Sequence, residues 1–535
     1  MTQNIPSLPS SGASAQGLSS NFQPDLSSGT GNYSIALDLP RGPRGFRPEL
    51  ALSYSSGAGQ GSFGQGWALT GLMTIHVSTR KGVPDPAHPD ARVYTLGGGN
   101  ELVCVADLPS GHKIYRPQTD NHNWHILRSG DAWTVTTSDG TRYRFGTSDN
   151  SRVADPDSGE IMEWHLSELV NPTGQVASFR YLAFGPGRSI VEIAYGPFSV
   201  DFQYEPRPDQ FTNARYGFPI ARDARCHAID IRSERSPHAI LRSYRLGYLE
   251  CRHTQVSQLG QIEQASDVAD DALAFPTLSF RYSDWTNEDV TLRRLSFDGE
   301  VPPPPSSAAA AALDLEGRGL PGILEGAGTE WRFWRNLGAG GFAAPTNLSN
   351  APNGLGLGTG GVAILDLEGN GTADLLQISE SAQGFFPNAA GGAFETFVDY
   401  GAMPPIRIGD SSVRFVDIDG DGVVDAIKSE PDAFLLFQNN GKGGWSDAPL
   451  RIPRIFDRDV FPDVDLSSNT VFFADMSGDG LPDIVELRAF ETVYWPYLGH
   501  GRWGRKVTMI GQPAFPGGFD SGRARLLDVD GDGLS

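Results

Sequence analysis

The run Asp417-Ile-Asp419-Gly-Asp421-Gly-Val423-Val-Asp425 sets carboxylates at positions 1, 3, 5 and 9 of a short loop. Glycines at positions 4 and 6 let the backbone curl until those side chains converge, and the carbonyl of Val423 at position 7 adds another oxygen. An all-oxygen cage of six or seven ligands suits a hard cation, and the expected ion is Ca2+ in a structural role. Electrostatics point the same way. Two carboxylates ~5 Å apart repel by roughly 3 kcal/mol at an effective dielectric of about 20. Four converging together would consume much of a domain's margin of about 5–15 kcal/mol. The alternative is a set of solvated acidic turns that hold no ion. Position 12 is Lys428 and strand-like sequence follows, so the loop is not an EF-hand.

The phrase recurs. Asp314, Asp366, Asp417, Asp475 and Asp528 lead five copies, at intervals of 52, 51, 58 and 53 residues. An aromatic closes a Gly-rich turn at Phe342, Phe394, Trp445 and Trp503, each 28 residues after its aspartate. Asn336, Asn388, Asn439 and Tyr497 each follow the aspartate by 22. All length variation lies outside this core. Further candidate ligand sets are Asp475, Ser477, Asp479, Leu481 (carbonyl) and Asp483, then Asp366, Glu368, Asn370, Thr372 (carbonyl) and Asp374. Asp528, Asp530 and Asp532 begin another that stops before position 9, so the chain reads as a fragment. The first copy has Arg318 at position 5 and Gly322 at position 9, and is expected to have lost its ion.

Elements of strand period must carry these loops. A repeat near 50 residues, with apolar runs and regular turns, is the pattern of propeller blades, with a β-solenoid as the alternative. Each unit has room for four short strands. Upstream, Tyr33, Ile35, Leu37 and Leu39 alternate with small or polar residues, and Ala51-Leu52-Ser53-Tyr54 repeats the pattern. Trp133 to Phe145 reads as a hairpin turning at Asp139-Gly140. Residues 200–204, 244–248 and 278–282 read as further strands, so the expected fold class is all-β. Residues 1–31 read as a flexible leader, 32–300 as a β-rich head, 301–308 as a Pro/Ser linker and 309–535 as the truncated propeller.

Composition narrows the function. A net charge of -22 argues against nucleic acid as a partner. No apolar stretch approaches a membrane span, and residues 1–31 lack the basic and apolar regions of a secretory signal. Release from the cytoplasm to the exterior would therefore use a signal-independent route. Cys104, Cys226 and Cys251 read as buried thiols rather than a disulfide framework. Gly59–Gly64 and Gly356–Gly361 match G-x-G-x-x-G, but strands rather than helices follow, which removes the phosphate site. There is no G-x-S-x-G elbow and no P-loop lysine. Adjacent Cys226 and His227 on a strand face opposite ways, which disfavours zinc. No catalytic residue is assigned.

Gly29-Thr-Gly-Asn-Tyr-Ser-Ile-Ala-Leu-Asp-Leu-Pro40, Pro48-Glu-Leu-Ala-Leu-Ser-Tyr-Ser-Ser-Gly57 and Phe63-Gly-Gln-Gly-Trp-Ala-Leu69 resemble the N-terminal domain of the SpvB family. That family takes in the B components of insecticidal toxin complexes. Lys81-Gly-Val-Pro84, Tyr115-Arg-Pro117 and Trp164-His-Leu166 continue the likeness. The repeats from 313 resemble the FG-GAP/VCBS propeller that follows this domain in those components. The resemblance implies a non-catalytic part that encloses a toxic payload with a C component and docks by its propeller on the pore-forming A component. The rival is the N-terminal part of an SpvB-like ADP-ribosyltransferase with catalysis downstream. An integrin-like adhesion propeller fits the head less well.

Overall fold

A computed structural model describes residues 20–509 and residue 526, apart from 26–28, 120–122, 235, 253, 267–274, 284–293, 305–306, 381, 390–392, 402 and 447. Its described secondary structure is strand and turn with a few single 3-10 turns. Strand Gly31–Ala36 pairs with Ala51–Ser55, which pairs with Trp67–Thr70. Ser20–Pro24 joins the other edge, so part of the expected leader is sheet; residues 1–19 lie outside the described residues. Alternation places Ile35, Leu37 and Leu39 in the core, as the pattern predicts.

A closed barrel of eight antiparallel strands follows. It runs Thr74–Val77, Tyr94–Leu96, Asn100–Asp107, His112–Pro117, His125–Ser129, Ala132–Thr136 and Arg142–Phe145. Ile161–Val170 pairs with both Arg142–Phe145 and Thr74–Val77 and closes the ring. The hairpin lies where the sequence put it, with Trp133 opposite Phe145 and Val135 opposite Tyr143. Tyr94, Tyr115, Trp133 and Trp164 pack edge to face inside, and Arg128 lies over three of these rings. From Ile161–Val170 the sheet continues as a meander through the long strands Phe198–Asn213, Ile220–Ser233 and Ser236–Glu250 to Leu278–Ser279.

One turn of the head requires glycine. Gly71 has φ +96°, and a Cβ there would stand 1.9 Å from the carbonyl oxygen of Glu49. Gly71→Ala combines left-handed strain with a backbone clash and is expected to cost about 3 kcal/mol. The head transition in urea should move to lower denaturant by that amount; an unchanged midpoint would contradict the contact.

Beyond the head, four successive units each form a four-stranded antiparallel sheet. Unit 1 comprises Ala310–Leu313, Gly322–Ala327, Glu330–Trp334 and Thr346–Asn347. Unit 2 comprises Val362–Leu365, Asp374–Ile378, Gln383–Phe386 and Val398–Asp399. Unit 3 comprises Val413–Val416, Asp425–Ser429, Ala433–Phe437 and Leu450–Pro453. Unit 4 comprises Val471–Ala474, Asp483–Leu487, Thr492–Trp495 and Val507–Thr508. The alanines after the linker do open the first strand. The head boundary falls earlier than 300, because Ser296–Phe297 pairs with Gly341–Phe342 of unit 1 and the Glu300 carbonyl accepts from Trp334 Nε1.

Neighbouring units share cores. Leu324 and Phe333 pack with Val362 and Leu375, Phe385 with Val413 and Phe437, and Ile427 and Phe434 with Ile484 and Trp495. No unit buries its apolar faces alone, which is the reason the repeat must stack. Of the cysteines, Cys226 is buried and donates to the Ala228 carbonyl, Cys251 is half-buried, and Cys104 is exposed rather than buried as expected.

Candidate metal centre at the leading loops

Each leading loop joins the first and second strands of its unit, with its two glycines in left-handed conformation. The position-1 aspartate folds the loop by accepting backbone N–H groups. Asp417 Oδ1 takes Gly420 and Asp421 at 2.9 and 3.1 Å, and Oδ2 takes Gly422 at 2.9 Å. Asp366 and Asp475 repeat this with Gly369, Asn370 and Gly371, and with Gly478, Asp479 and Gly480. The loops also touch in series. A Cβ on Gly317 would meet Thr372, one on Gly369 would meet Val423, and one on Gly420 would meet Leu481.

The position-9 aspartates have a second role that ligand counting alone does not disclose. Asp374, Asp425 and Asp483 are buried, and each accepts the backbone N–H found 14 residues on, from Asn388, Asn439 and Tyr497 at 2.8–2.9 Å. Those three residues bridge to Phe394, Trp445 and Trp503, the aromatics of the fixed spacing. The carboxylate therefore ties the loop to the hairpin. Unit 1 has Gly322 at that position and lacks this tie, keeping only the bond from Asn336 Nδ2 to the Pro321 carbonyl that Asn388 and Asn439 also make, to Ala373 and Val424.

The loops differ in their second oxygen. Asp374 Oδ2 accepts from Leu367 N–H and Asp483 Oδ2 from Met476 N–H. Asp425 is only 2% exposed, yet its Oδ2 has no hydrogen-bond partner. Asp417, Asp419 and Asp425 each present one oxygen, and these lie within 4.8 Å of one another, a grouping that no other loop matches among the described residues. Asp421, also expected as a ligand, stands outside this group with Oδ1 on the Val423 N–H. In the Asp366 loop Glu368 Oε1 lies 2.9 Å from Lys442. In the Asp475 loop Asp479 Oδ2 takes the Ala214 N–H of the head at 2.6 Å. Asp528, Asp530 and Asp532 lie outside the described residues.

Burial dominates the electrostatics. It pushes Asp425 up to about 8, with the Asp419 carboxylate adding to the rise, and Asp419 up to about 7, helped by Asp421 and Asp417. Asp417 and Asp421 are raised as well, again chiefly by burial. Charged carboxylates held this closely, one with an orphaned buried oxygen, call for a divalent ion or for protons. Calcium fits the donor set, since every available ligand is a hard oxygen. Asp419 also lines a cleft of about 300 Å³ with Asp85, Gln438, Tyr497 and His500.

The head closes over these same loops. Val83 N–H donates to the Asp419 carbonyl at 3.1 Å, and Arg215 Nε donates to the Asp479 carbonyl. Arg502 donates to the Gly217 carbonyl at 2.8 Å, and His500 Nε2 pairs with the Pro84 carbonyl at 3.1 Å. Val83 is buried in the core that units 3 and 4 share. Residues 81–84 and 214–217 therefore bind two leading loops at once.

Residues 26–184 match the family described as Salmonella virulence plasmid 65kDa B protein. The mono(ADP-ribosyl)transferase SpvB of Salmonella choleraesuis (strain SC-B67) is 33% identical over 203 residues, a match that takes in 33% of this chain and 33% of the relative. SpvB of Salmonella enteritidis is 33% identical over 178 residues, covering 29% of this chain and 30% of its own length. The chain thus spans about a third of the curated relatives it matches. A chain in the Photorhabdus luminescens Tc holotoxin pore superimposes on all of this one with a TM-score of 0.78 at 22% identity, using 28% of its own length. Residues 26–184 thus match the SpvB family model, and from end to end the chain has the all-β fold found in a chain of the Tc holotoxin.

Proposed function

We propose that this chain is a non-catalytic structural component of a bacterial toxin complex, whose repeat units form a calcium-stabilised propeller of FG-GAP/VCBS type. The observation that carries this reading is the end-to-end fold correspondence with a Tc holotoxin chain. The match covers the head and all four described units, so the junction between them is shared as well as the parts. The partners are proteins: a pore-forming A component that the propeller meets, a C component, and the payload that they enclose. The strongly negative surface fits protein partners and disfavours nucleic acid. No helix among the described residues is long and apolar enough to cross a membrane.

A second reading rests on the SpvB relatives, whose name is that of a mono(ADP-ribosyl)transferase. On that reading this chain is the delivery part of a longer enzyme. The two separate cleanly. Mixed with a Tc-type pore-forming subunit, the chain is expected to co-elute with it in size-exclusion chromatography and to add density at one end of the particle in electron micrographs. With labelled NAD and a panel of host proteins, it is expected to transfer no label. Transfer of label, or failure to associate with any Tc-type pore, would overturn the assembly reading.

A further inference from the structure

The four described loops look interchangeable in sequence, yet each handles its acidic charge differently. In unit 1 the carboxylate at position 3, Glu316, meets Arg335 on Oε1 and Arg318 on Oε2, at 2.5 and 3.4 Å. In unit 2 the corresponding Glu368 meets Lys442, which reaches over from the hairpin of unit 3. In unit 4 position 3 is Ser477, Asp479 is taken by Ala214, and both oxygens of Asp483 accept backbone N–H groups. Among the described residues, no lysine or arginine pairs with the loop carboxylates of units 3 and 4, but only in unit 3 do three carboxylates gather and the position-9 carboxylate keep an unsatisfied oxygen. Arg215 comes near Asp417 but is spent on the Asp479 carbonyl, and Asp425 Oδ2 is left buried without a partner.

We infer that the four described loops take a single divalent ion, at Asp417, Asp419 and Asp425, and that in the other loops the protein's own groups replace the ion: Arg318 with Arg335 in unit 1, Lys442 in unit 2, and backbone N–H donors in unit 4, that of Ala214 in the head among them. The physical ground is charge balance. A buried carboxylate needs either a countercharge or N–H donors, and a loop that already has them gains little by desolvating a cation. Three of the loops have been given these partners by residues from three different places in the chain. Their aspartates are kept because they fold the loop and tie it to its hairpin, not because they hold metal. The inference rests on the reading that the Asp417 loop binds calcium.

The test counts ions by calorimetric titration of the full chain with calcium chloride, with the fifth loop silenced by Asp528→Asn and Asp530→Asn. One ion per chain is expected, and none in Asp425→Asn, with circular dichroism verifying that the sheet content is retained. Lys442→Met strips Glu368 of its ammonium and is expected to raise the count to two, while Lys442→Arg leaves it at one. Two or three ions in the parent would overturn the inference and leave the calcium reading standing. Lys442→Met remaining at one would overturn the replacement role of the lysine. No ion in the parent would overturn both readings.

Discussion

In chelator, the melting temperature of the repeat units is expected to fall as pH rises from about 4 to about 8, and millimolar calcium is expected to abolish most of that fall. The sign follows from Asp425 and Asp419. Their folded-state values, about 8 and about 7, lie above the usual aspartate value of about 3.9. The folded ion-free form therefore binds more protons than the unfolded chain, and stability is lost as pH climbs through that window. Calcium reverses the preference by favouring the charged carboxylates. The gap between the two conditions should thus be widest near pH 8 and should close near pH 4. With a free ion concentration of 1,000 times the dissociation constant, mass action supplies about 4 kcal/mol. For the four units together, roughly 200 residues, that is on the order of 10 °C. Burial also raises Asp374 to about 6 and Asp483 to about 8, and these titrate in either buffer, so the informative quantity is the difference between buffers. Asp425→Asn keeps an acceptor for the Asn439 N–H while removing charge. It should be more stable than the parent in chelator at pH 8 and indifferent to calcium. A calcium effect of equal size at pH 4 and pH 8 would rule out this origin.

Much of this was visible before any coordinates. The two-residue period found the sheets because each strand has one buried face, and the 28-residue core found the units because a bond lies inside it. The position-9 carboxylate accepts from the residue 14 further on, so neither the loop nor the hairpin can change length without breaking that tie. The ligand sets were less legible. Sequence spacing reports which carboxylates a loop contains, but not what meets them. Lys442 is far from Glu368 in sequence, and the Ala214 to Asp479 bond spans 265 positions. Such partners are set by how units stack and where the head lands, which is tertiary information. Barrel closure was hidden for the same reason, since the pairing of Arg142–Phe145 with Ile161–Val170 leaves no local signal. The strand at Ser20–Pro24 was missed because its polar, Pro-containing sequence reads as coil and only pairing with Gly31–Ala36 orders it.

Nothing in the pattern flagged Arg207 and Asp209, yet their loss should cost the head more than that of any surface pair. The Arg207 side chain is fully buried and that of Asp209 nearly so, and they meet as a fork, Nε to Oδ1 at 3.1 Å and Nη2 to Oδ2 at 2.7 Å. Arg207 also donates to the Gly61 carbonyl and to Gln60, while Asp209 accepts from the Ser257 N–H and hydroxyl. The guanidinium lies 4.7 Å from the Phe211 ring. Both residues sit where the pairing of Phe198–Asn213 with Ile220–Ser233 skips from Pro206 to Phe211, so a bulge turns them inward. Burial pushes the Asp209 carboxyl up, but the bonds from Arg207 and Ser257 outweigh it and hold it below the usual range. Asp209→Asn leaves a buried guanidinium without its countercharge, and the expected loss is about 3–5 kcal/mol in the head transition. Arg207→Met combined with Asp209→Leu removes both charges and should recover much of that loss, because an apolar pair carries no desolvation cost. The same two strands end at residues 213 and 220, and the turn between them carries Ala214, Arg215 and Gly217 onto the leading loop and hairpin of unit 4. Asp209→Asn should therefore also speed hydrogen exchange at Ala214 and Leu481 while leaving Leu375 in unit 2 unchanged. A stability loss below about 1 kcal/mol would mean that the fork is hydrated rather than buried, since exposed pairs contribute no more than that.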